Sequence, residues 1–297
     1  MSEQGKYHNV FFFGFREFGH QDIIFMNPLI FVCVFTGIIH FIETIASSMR
    51  LAGVRTKNIA TSLSFVNATL LVSRLSNMFQ APILGGMVDS AILKQDTSLL
   101  LSQFRMIVFA AFIGNLIGAA LVPFFVSVFT EGIAEFEKIG SLPKLLLGTF
   151  HPKNVASMAK KFKLPNRKTF SRLSLHNIPK WFIFWNVFMV SIYAIGVLAS
   201  LYAGARVPEY RVTATQLSGI VNGMATILLT LLVDPTCALL TDQAIKGKRK
   251  EDDVRTMVFY IIAGRLIGTL LISQLIFLPA SNYIMNVTLL VKRMFGH

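Results

Sequence analysis

The sequence predicts an all-α, polytopic membrane protein of about six transmembrane helices, arranged as two inverted three-helix repeats. Three observations carry that expectation: a scarcity of charge, six apolar stretches of spanning length, and an ordered self-similarity between the two halves. Hydrophobic residues make up 54% of the 297 and charged residues 14%, with a mean hydropathy of +0.61. An average soluble domain carries roughly 25% charged residues, so this chain has too little polarity to cover a water-facing surface.

A helix needs about 20 predominantly apolar residues to cross a ~30 Å hydrocarbon core. Residues 28–50, 57–79, 104–129, 180–204, 211–233 and 254–278 meet that requirement. Shorter, more polar pieces at 81–95 and 234–247 follow the second and fifth stretches and begin near Pro82 and Pro235. Proline removes a backbone donor and clashes with the preceding turn, so each is expected to break off as a re-entrant or interfacial piece. Ahead of the first span, residues 1–27 set Phe11, Phe12, Phe13, Phe15 and Phe18 beside charges, as an interfacial amino-terminal segment does. They lack the basic start and apolar core of a cleavable signal peptide. The expected divisions are therefore 1–27, a first repeat at 28–130, a linker at 131–179, a second repeat at 180–279 and a tail at 280–297.

The net charge of +13 is distributed between the apolar runs. Ten basic residues between 131 and 180 outnumber three acidic ones there, which reads as a cytoplasmic linker, partly helical, resting on anionic headgroups. With that linker inside, the loop holding Arg50, Arg55 and Lys57 and the run Lys246–Lys250 also fall inside, as the positive-inside rule requires. Basic residues confined to loops do not form the aromatic-interleaved surface of a nucleic-acid-binding module, so nucleic acid is not expected as a partner. Cys33 and Cys237 lie within or beside apolar segments and imply neither a disulfide framework nor a metal cluster.

Self-similarity at a fixed offset is the signature of duplication. Ala60-Thr61-Ser62-Leu63-Ser64 matches Ala214-Thr215-Gln216-Leu217-Ser218, Val66-Asn67 matches Val221-Asn222, and Pro82 matches Pro235. Gly114-Asn115-Leu116-Ile117-Gly118 matches Gly264-Arg265-Leu266-Ile267-Gly268, each preceded at equal distance by an arginine, Arg105 or Arg255. Every pair falls at an offset of 150 to 155 and in one order along the chain. Three spans per unit is an odd number, so the second unit enters the membrane from the opposite side, the plan of transporters whose substrate site lies between the repeats. The G-x-x-x-G spacings are read first as close helix packing.

Ionisable residues inside spans are costly and mark function or a buried partner. Helical spacing gathers them into stripes: Thr36, His40, Glu43, Ser47 and Arg50 on the first span; Asn67, Arg74 and Asn77 on the second; Thr215, Ser218, Asn222 and Thr226, leading to Asp234, on the fifth; Arg265, Thr269 and Ser273 on the sixth. The candidate substrate-binding residues are Arg265, Arg74, Arg50, Glu43, Asn67, Asn77, Asn222, Asp89, Asp234 and His40. From the rise per residue, Arg265 lies ~16 Å and Glu43 ~10 Å from the cytoplasmic side, with Arg74 at ~25 Å. Arg265 is therefore expected to pair with Glu43, and Arg74 with Asp89. Guanidinium groups match phosphate oxygens bidentately, which suits an anionic headgroup. His40 taken alone reads more readily as a satisfied interior histidine than as a proton relay.

These residues resemble the Amj family, the "alternate to MurJ" lipid II flippases of bacterial cell-wall synthesis. The likeness rests on Ile42-Glu43-Thr44, the run Ser48-Met49-Arg50-Leu51-Ala52-Gly53-Val54-Arg55-Thr56, Ser73-Arg74-Leu75-Ser76-Asn77-Met78 and Gln80-Ala81-Pro82-Ile83-Leu84-Gly85. Val88-Asp89-Ser90-Ala91, Asp234-Pro235 and the motif from Gly264 to Gly268 extend it across roughly 37–275. The resemblance implies a multi-pass protein of the bacterial plasma membrane. It implies movement of an undecaprenyl-diphosphate-linked peptidoglycan precursor, with membrane lipids as the other partner and no cofactor. It supplies no site residues. No G-x-x-x-x-G-K-[ST] phosphate loop, G-x-S-x-G elbow or H-E-x-x-H zinc motif is present, so ATP is not the expected energy source and an enzyme is not expected. An inverted-repeat transporter of a small ion or metabolite stays open as the alternative, and so, less favoured, does an intramembrane enzyme acting on polyprenyl phosphates. The sequence leaves the oligomeric state open.

Overall fold

The computed structural model describes residues 27–149 and 177–295, with 158, 160–166, 169, 171 and 173 between them. The aromatic segment at 1–26 lies outside the described residues, as do parts of the basic linker, whose first nine residues continue the helix that ends at Ile139.

Among the described residues, six helical rods are long and apolar enough to cross a membrane: Pro28–Thr56, Ile59–Leu93, Thr97–Ile139, Lys180–Arg206, Pro208–Ile245 and Glu251–Phe295. The first comprises α1 (Pro28–Ala46) and α2 (Met49–Thr56), followed by α3 (Ile59–Leu93), α4 (Thr97–Ile139) and the short α5 (Leu142–Thr149). After the linker come α6 (Lys180–Arg206), a 3-10 turn at Pro208–Tyr210 and α7 (Arg211–Leu228). A π turn at Leu229–Val233 joins α7 to α8 (Asp234–Ile245). In the sixth span a second π turn, Gly268–Ile272, joins α9 (Glu251–Ile267) to α10 (Ser273–Phe295).

Side chains at the helix ends fix where each rod starts. Asn27 and Asn58 accept hydrogen bonds from Leu29 N and Thr61 N, and Asp96 accepts from Leu99 N and the Ser98 hydroxyl. Such caps satisfy donors that the first turn leaves open. Those bonds, chiefly the one from Leu99 N, hold the Asp96 carboxyl below its ordinary range.

Contacts at the rod ends define two faces. On one, Arg55 pairs with Glu251 at 2.8 Å, Asn58 donates to Glu137 at 2.6 Å and Asn177 donates to Asp253 at 2.7 Å. On the other, Asp89 pairs with Arg211, Arg206 bonds Asn282, and Lys292 lies 4.5 Å over the Tyr210 ring. The beginning of α1 sits at this second face beside Ser90, Lys94 and Asp96. The beginning of α6 sits at the first.

The sequence expectation fails at Pro82. No re-entrant piece follows the second span; α3 runs through Pro82 without a break for 35 residues, or ~52 Å. Proline costs one backbone bond, whereas unwinding a lipid-exposed helix strands several polar groups where no water can reach them. In the fifth span there is an interruption, but it is the π turn just before Pro235, and α8 carries on along the rod. The stretch read as a carboxy-terminal tail is helical to Phe295.

Close packing recurs in both halves. Gly114 of α4 lies directly on the backbone of Gly37 in α1, and Gly118 against Thr44. Gly264 of α9 lies on Asn186 of α6, and Gly268 on Ser191. First and third spans of each half thus meet through the same two-glycine spacing, which lets backbones approach. α6 is the hub: 50% of its most apolar window is buried, against 22% for the second and fifth spans, which are the rims.

A methyl added at Gly114 would meet the Gly37 carbonyl, which is backbone and cannot swing aside, whereas one at Gly86 meets open space. Gly114→Ala is expected to destabilise by about 1–3 kcal/mol, as overpacking does. Gly86→Ala should stay within about 1 kcal/mol of the wild type, on the stabilising side through helix propensity. Thermal unfolding of both variants in the same detergent checks the contrast, and equal effects would refute this packing.

Candidate functional site

The site is built on the inner faces of α1, α6 and α9. His40 and Glu43 are three residues apart on α1, hence neighbours on one helical face. Arg265 projects from α9 between the two glycines that press that helix onto α6. Its Nη1 donates to Glu43 Oε2 at 2.7 Å, and the two side chains are 19% and 12% exposed. The expected Arg265–Glu43 pairing is therefore present. At so low an exposure neither charge is stable alone, so the pair fixes α1 to α9 across the two halves.

The expected Arg74–Asp89 pairing is absent, and Pro82 is again the reason. Because α3 is unbroken, Asp89 lies fifteen residues beyond Arg74, or ~22 Å along the axis. Asp89 instead pairs with Arg211 at the start of α7. Arg50 and Asp234 pair with each other at 3.1 Å, also joining the halves, close to the buried Cys237. Each of the four pairs Glu43–Arg265, Arg50–Asp234, Arg55–Glu251 and Asp89–Arg211 has one member before residue 130 and one after 180.

Arg74 is the exception among the predicted arginines. It is exposed and makes no ion pair or hydrogen bond among the described residues. Glu43, Arg265 and Arg74 all lie close enough to the Tyr193 hydroxyl of α6 to act on it electrostatically. One turn further along α6, Asn222 of α7 abuts Gly196, where even a methyl group would collide with the amide. Residues from α1, α3, α6, α7 and α9 thus border one stretch of α6. Three buried polar atoms here have no partner among the described residues: His40 Nδ1, Arg265 Nε and Asn222 Oδ1. Buried polar groups are almost always paired; these three are enclosed, so they gain a partner only where the helices around them part or a water enters.

Of the remaining candidates, Asn77 is exposed on α3 and accepts from Gln80 at 3.0 Å, while Gln80 accepts from Thr36 at 2.9 Å. Asn67 is exposed two turns from Arg74 on the same helix. Much of the polarity on the first and sixth spans is consumed in joining helices. Thr44 donates to Asn115 at 2.7 Å, Asn115 donates to Thr269 at 3.3 Å, and Ser273 donates to Ser191 O at 2.9 Å.

Sequence reasoning missed Asn115 and Tyr193. Asn115 occupies the position matched by Arg265 in the duplicated motif and is fully buried, so the repeat itself was the available signal. Tyr193 lies in a stretch of aromatic and aliphatic residues where no pattern separates it from lipid-facing neighbours.

Comparison with known proteins gives the family. The family model described as "Alternate to MurJ" (Amj) matches residues 35–288. The chain is 36% identical over 262 residues to the protein named "Lipid II flippase Amj" of Bacillus subtilis (strain 168), covering 88% of this chain and 97% of that one. No solved structure matches. With a family match over most of its length and six spanning helices among the described residues, the chain is a multi-pass membrane protein that belongs to the Amj family.

Proposed function

We propose that this protein flips lipid II, an undecaprenyl-diphosphate-linked precursor, across the bacterial plasma membrane. The observation that carries the reading is the Glu43–Arg265 pair set between the halves, with polar atoms of His40, Arg265 and Asn222 left without partners and with Arg74, exposed on α3, in electrostatic range of the same Tyr193. The name of the Bacillus subtilis relative supports the substrate. A diphosphate headgroup must pass hydrocarbon while its isoprenoid tail stays in lipid. That task needs a cation accessible from the bilayer, and Arg74 is placed on a rim helix. Arg265 reaches the anion only when Glu43 releases it, so headgroup binding and separation of the halves are linked. Asn67, Asn77 and Asn222 supply neutral polar groups along the same path.

Alternating access follows from two inverted repeats. The opposite faces at which α1 and α6 begin support that inversion. α3 and α7 each pack along α6, and the Asp89–Arg211 pair ties them together at one end. That pair is the closed gate of this state, on the outer side if the basic ends are cytoplasmic. Side-chain exposures of 55% and 41% make it a weak, breakable tie.

Three outcomes are expected. In bacteria depleted of their essential lipid II flippase, the protein restores growth and Arg74→Ala abolishes rescue at an unchanged protein level. Failure of the wild type to rescue, with membrane insertion confirmed, would point to another substrate. Glu43→Ala leaves Arg265 buried without its partner, costs about 3–5 kcal/mol and lowers the folded yield; the double exchange Glu43→Arg with Arg265→Glu recovers much of that yield. Joining Asp89→Cys to Arg211→Cys with a short thiol linker should arrest flipping in vesicles until the linker is cleaved, and continued flipping would remove the gate from the mechanism.

A further inference from the structure

The repeat places one more arginine, and the mechanism above does not use it. Arg105 and Arg255 are counterparts, each nine residues ahead of the glycine motif's first glycine. Arg255 is held within the protein: its Nη2 bonds Glu251 at 2.9 Å and its side chain is 15% exposed, although its Nε has no hydrogen-bond partner among the described residues. Arg105 is exposed and its side chain has no hydrogen bond or ion pair among the described residues; only its backbone carbonyl is engaged, by Gln274 at 3.0 Å. It opens the apolar stretch 104–129, so its guanidinium sits at the headgroup level at the edge of the span, where an anion can meet it.

Arg105 stands at one end of an apolar groove of about 930 Å³ between α1 and α4, on the surface of the bundle. Aliphatic and aromatic side chains line it, and its floor is the bare backbone where Gly37 meets Gly114. Leu121 marks the far end, sixteen residues or about 24 Å along α4 from Arg105. One leaflet's share of a ~30 Å hydrocarbon core is about 15 Å, so the groove passes the midplane and outruns a phospholipid acyl chain. We infer that this groove holds the isoprenoid chain of the transported lipid, with its diphosphate on Arg105. The inference rests on the transport reading and names a second contact for the same substrate, outside the Tyr193 cluster.

Cys33 lines the groove, whereas Cys237 is fully buried, so the chain carries its own reporter. The test is the rate of Cys33 modification by a membrane-permeant maleimide in nanodiscs, with undecaprenyl diphosphate or phosphatidylglycerol added at equal mole fraction. Undecaprenyl diphosphate should slow modification in the wild type and in Arg105→Lys. In Arg105→Gln the apparent affinity for that protection should fall about tenfold, the size expected for one charged hydrogen bond. Equal protection by phosphatidylglycerol, protection unchanged in Arg105→Gln, or no protection in the wild type would each overturn the assignment. Flipping by the wild type is scored separately in vesicles. Flipping without protection refutes the groove alone, and protection without flipping refutes the transport reading alone.

Discussion

The Glu43–Arg265 pair is the constraint on which the rest of the bundle depends. Two opposite charges sit deep between helices, where neither is stable alone. Their cost is offset only if α1 and α9 hold a fixed distance, and the glycine contacts of α4 on α1 and of α9 on α6 supply that distance. Everything else follows the same seam. Asn115 and Thr269 continue it with neutral hydrogen bonds, Arg50–Asp234 and Arg55–Glu251 close it at the basic face, and Asp89–Arg211 closes it at the other. The halves are thus joined by polar bonds as well as by apolar packing. In a bilayer this matters, because lipid tails are as apolar as leucine and give helices little reason to choose one another.

The distribution of charge then divides the arginines. Arginines that reach a carboxylate are committed to the seam, while Arg74 is left uncommitted beside it. A seam made of exchangeable ion pairs can be reopened by an anion that competes for the same guanidinium groups, which an oily seam cannot. On the proposed function, substrate affinity and inter-half stability draw on one set of side chains.

Much of this was legible in the sequence. The six spans followed from hydropathy and length, and the helix assignments differ from the expectation mainly at the ends. Glu43–Arg265 was legible because depth along two apolar helices is simple arithmetic when both are straight. The same arithmetic misplaced Asp89, because Pro82 was read by the rule for water, where a broken turn is resolvated; in lipid the helix keeps going. Asn115 was visible in the duplicated motif but masked by its glycine neighbours, whose packing role accounts for the motif without it. Tyr193 had no signal, since its importance comes from three charges on three other helices.

The two π turns, Leu229–Val233 and Gly268–Ile272, both lie in the second half. The matching spans of the first half are uninterrupted α-helices through their prolines. A π turn is a wider coil at which a helix can bend or change its winding. One sits next to Asp234 and the other begins three residues after Arg265, so each joint adjoins a charge of the seam. Duplicated in sequence, the halves are unequal in build: the second carries its irregular turns beside charges of the seam, whereas the first has its own break at Ser47–Ser48, within its first span. Symmetry of origin in the sequence therefore does not extend to symmetry of winding in the helices.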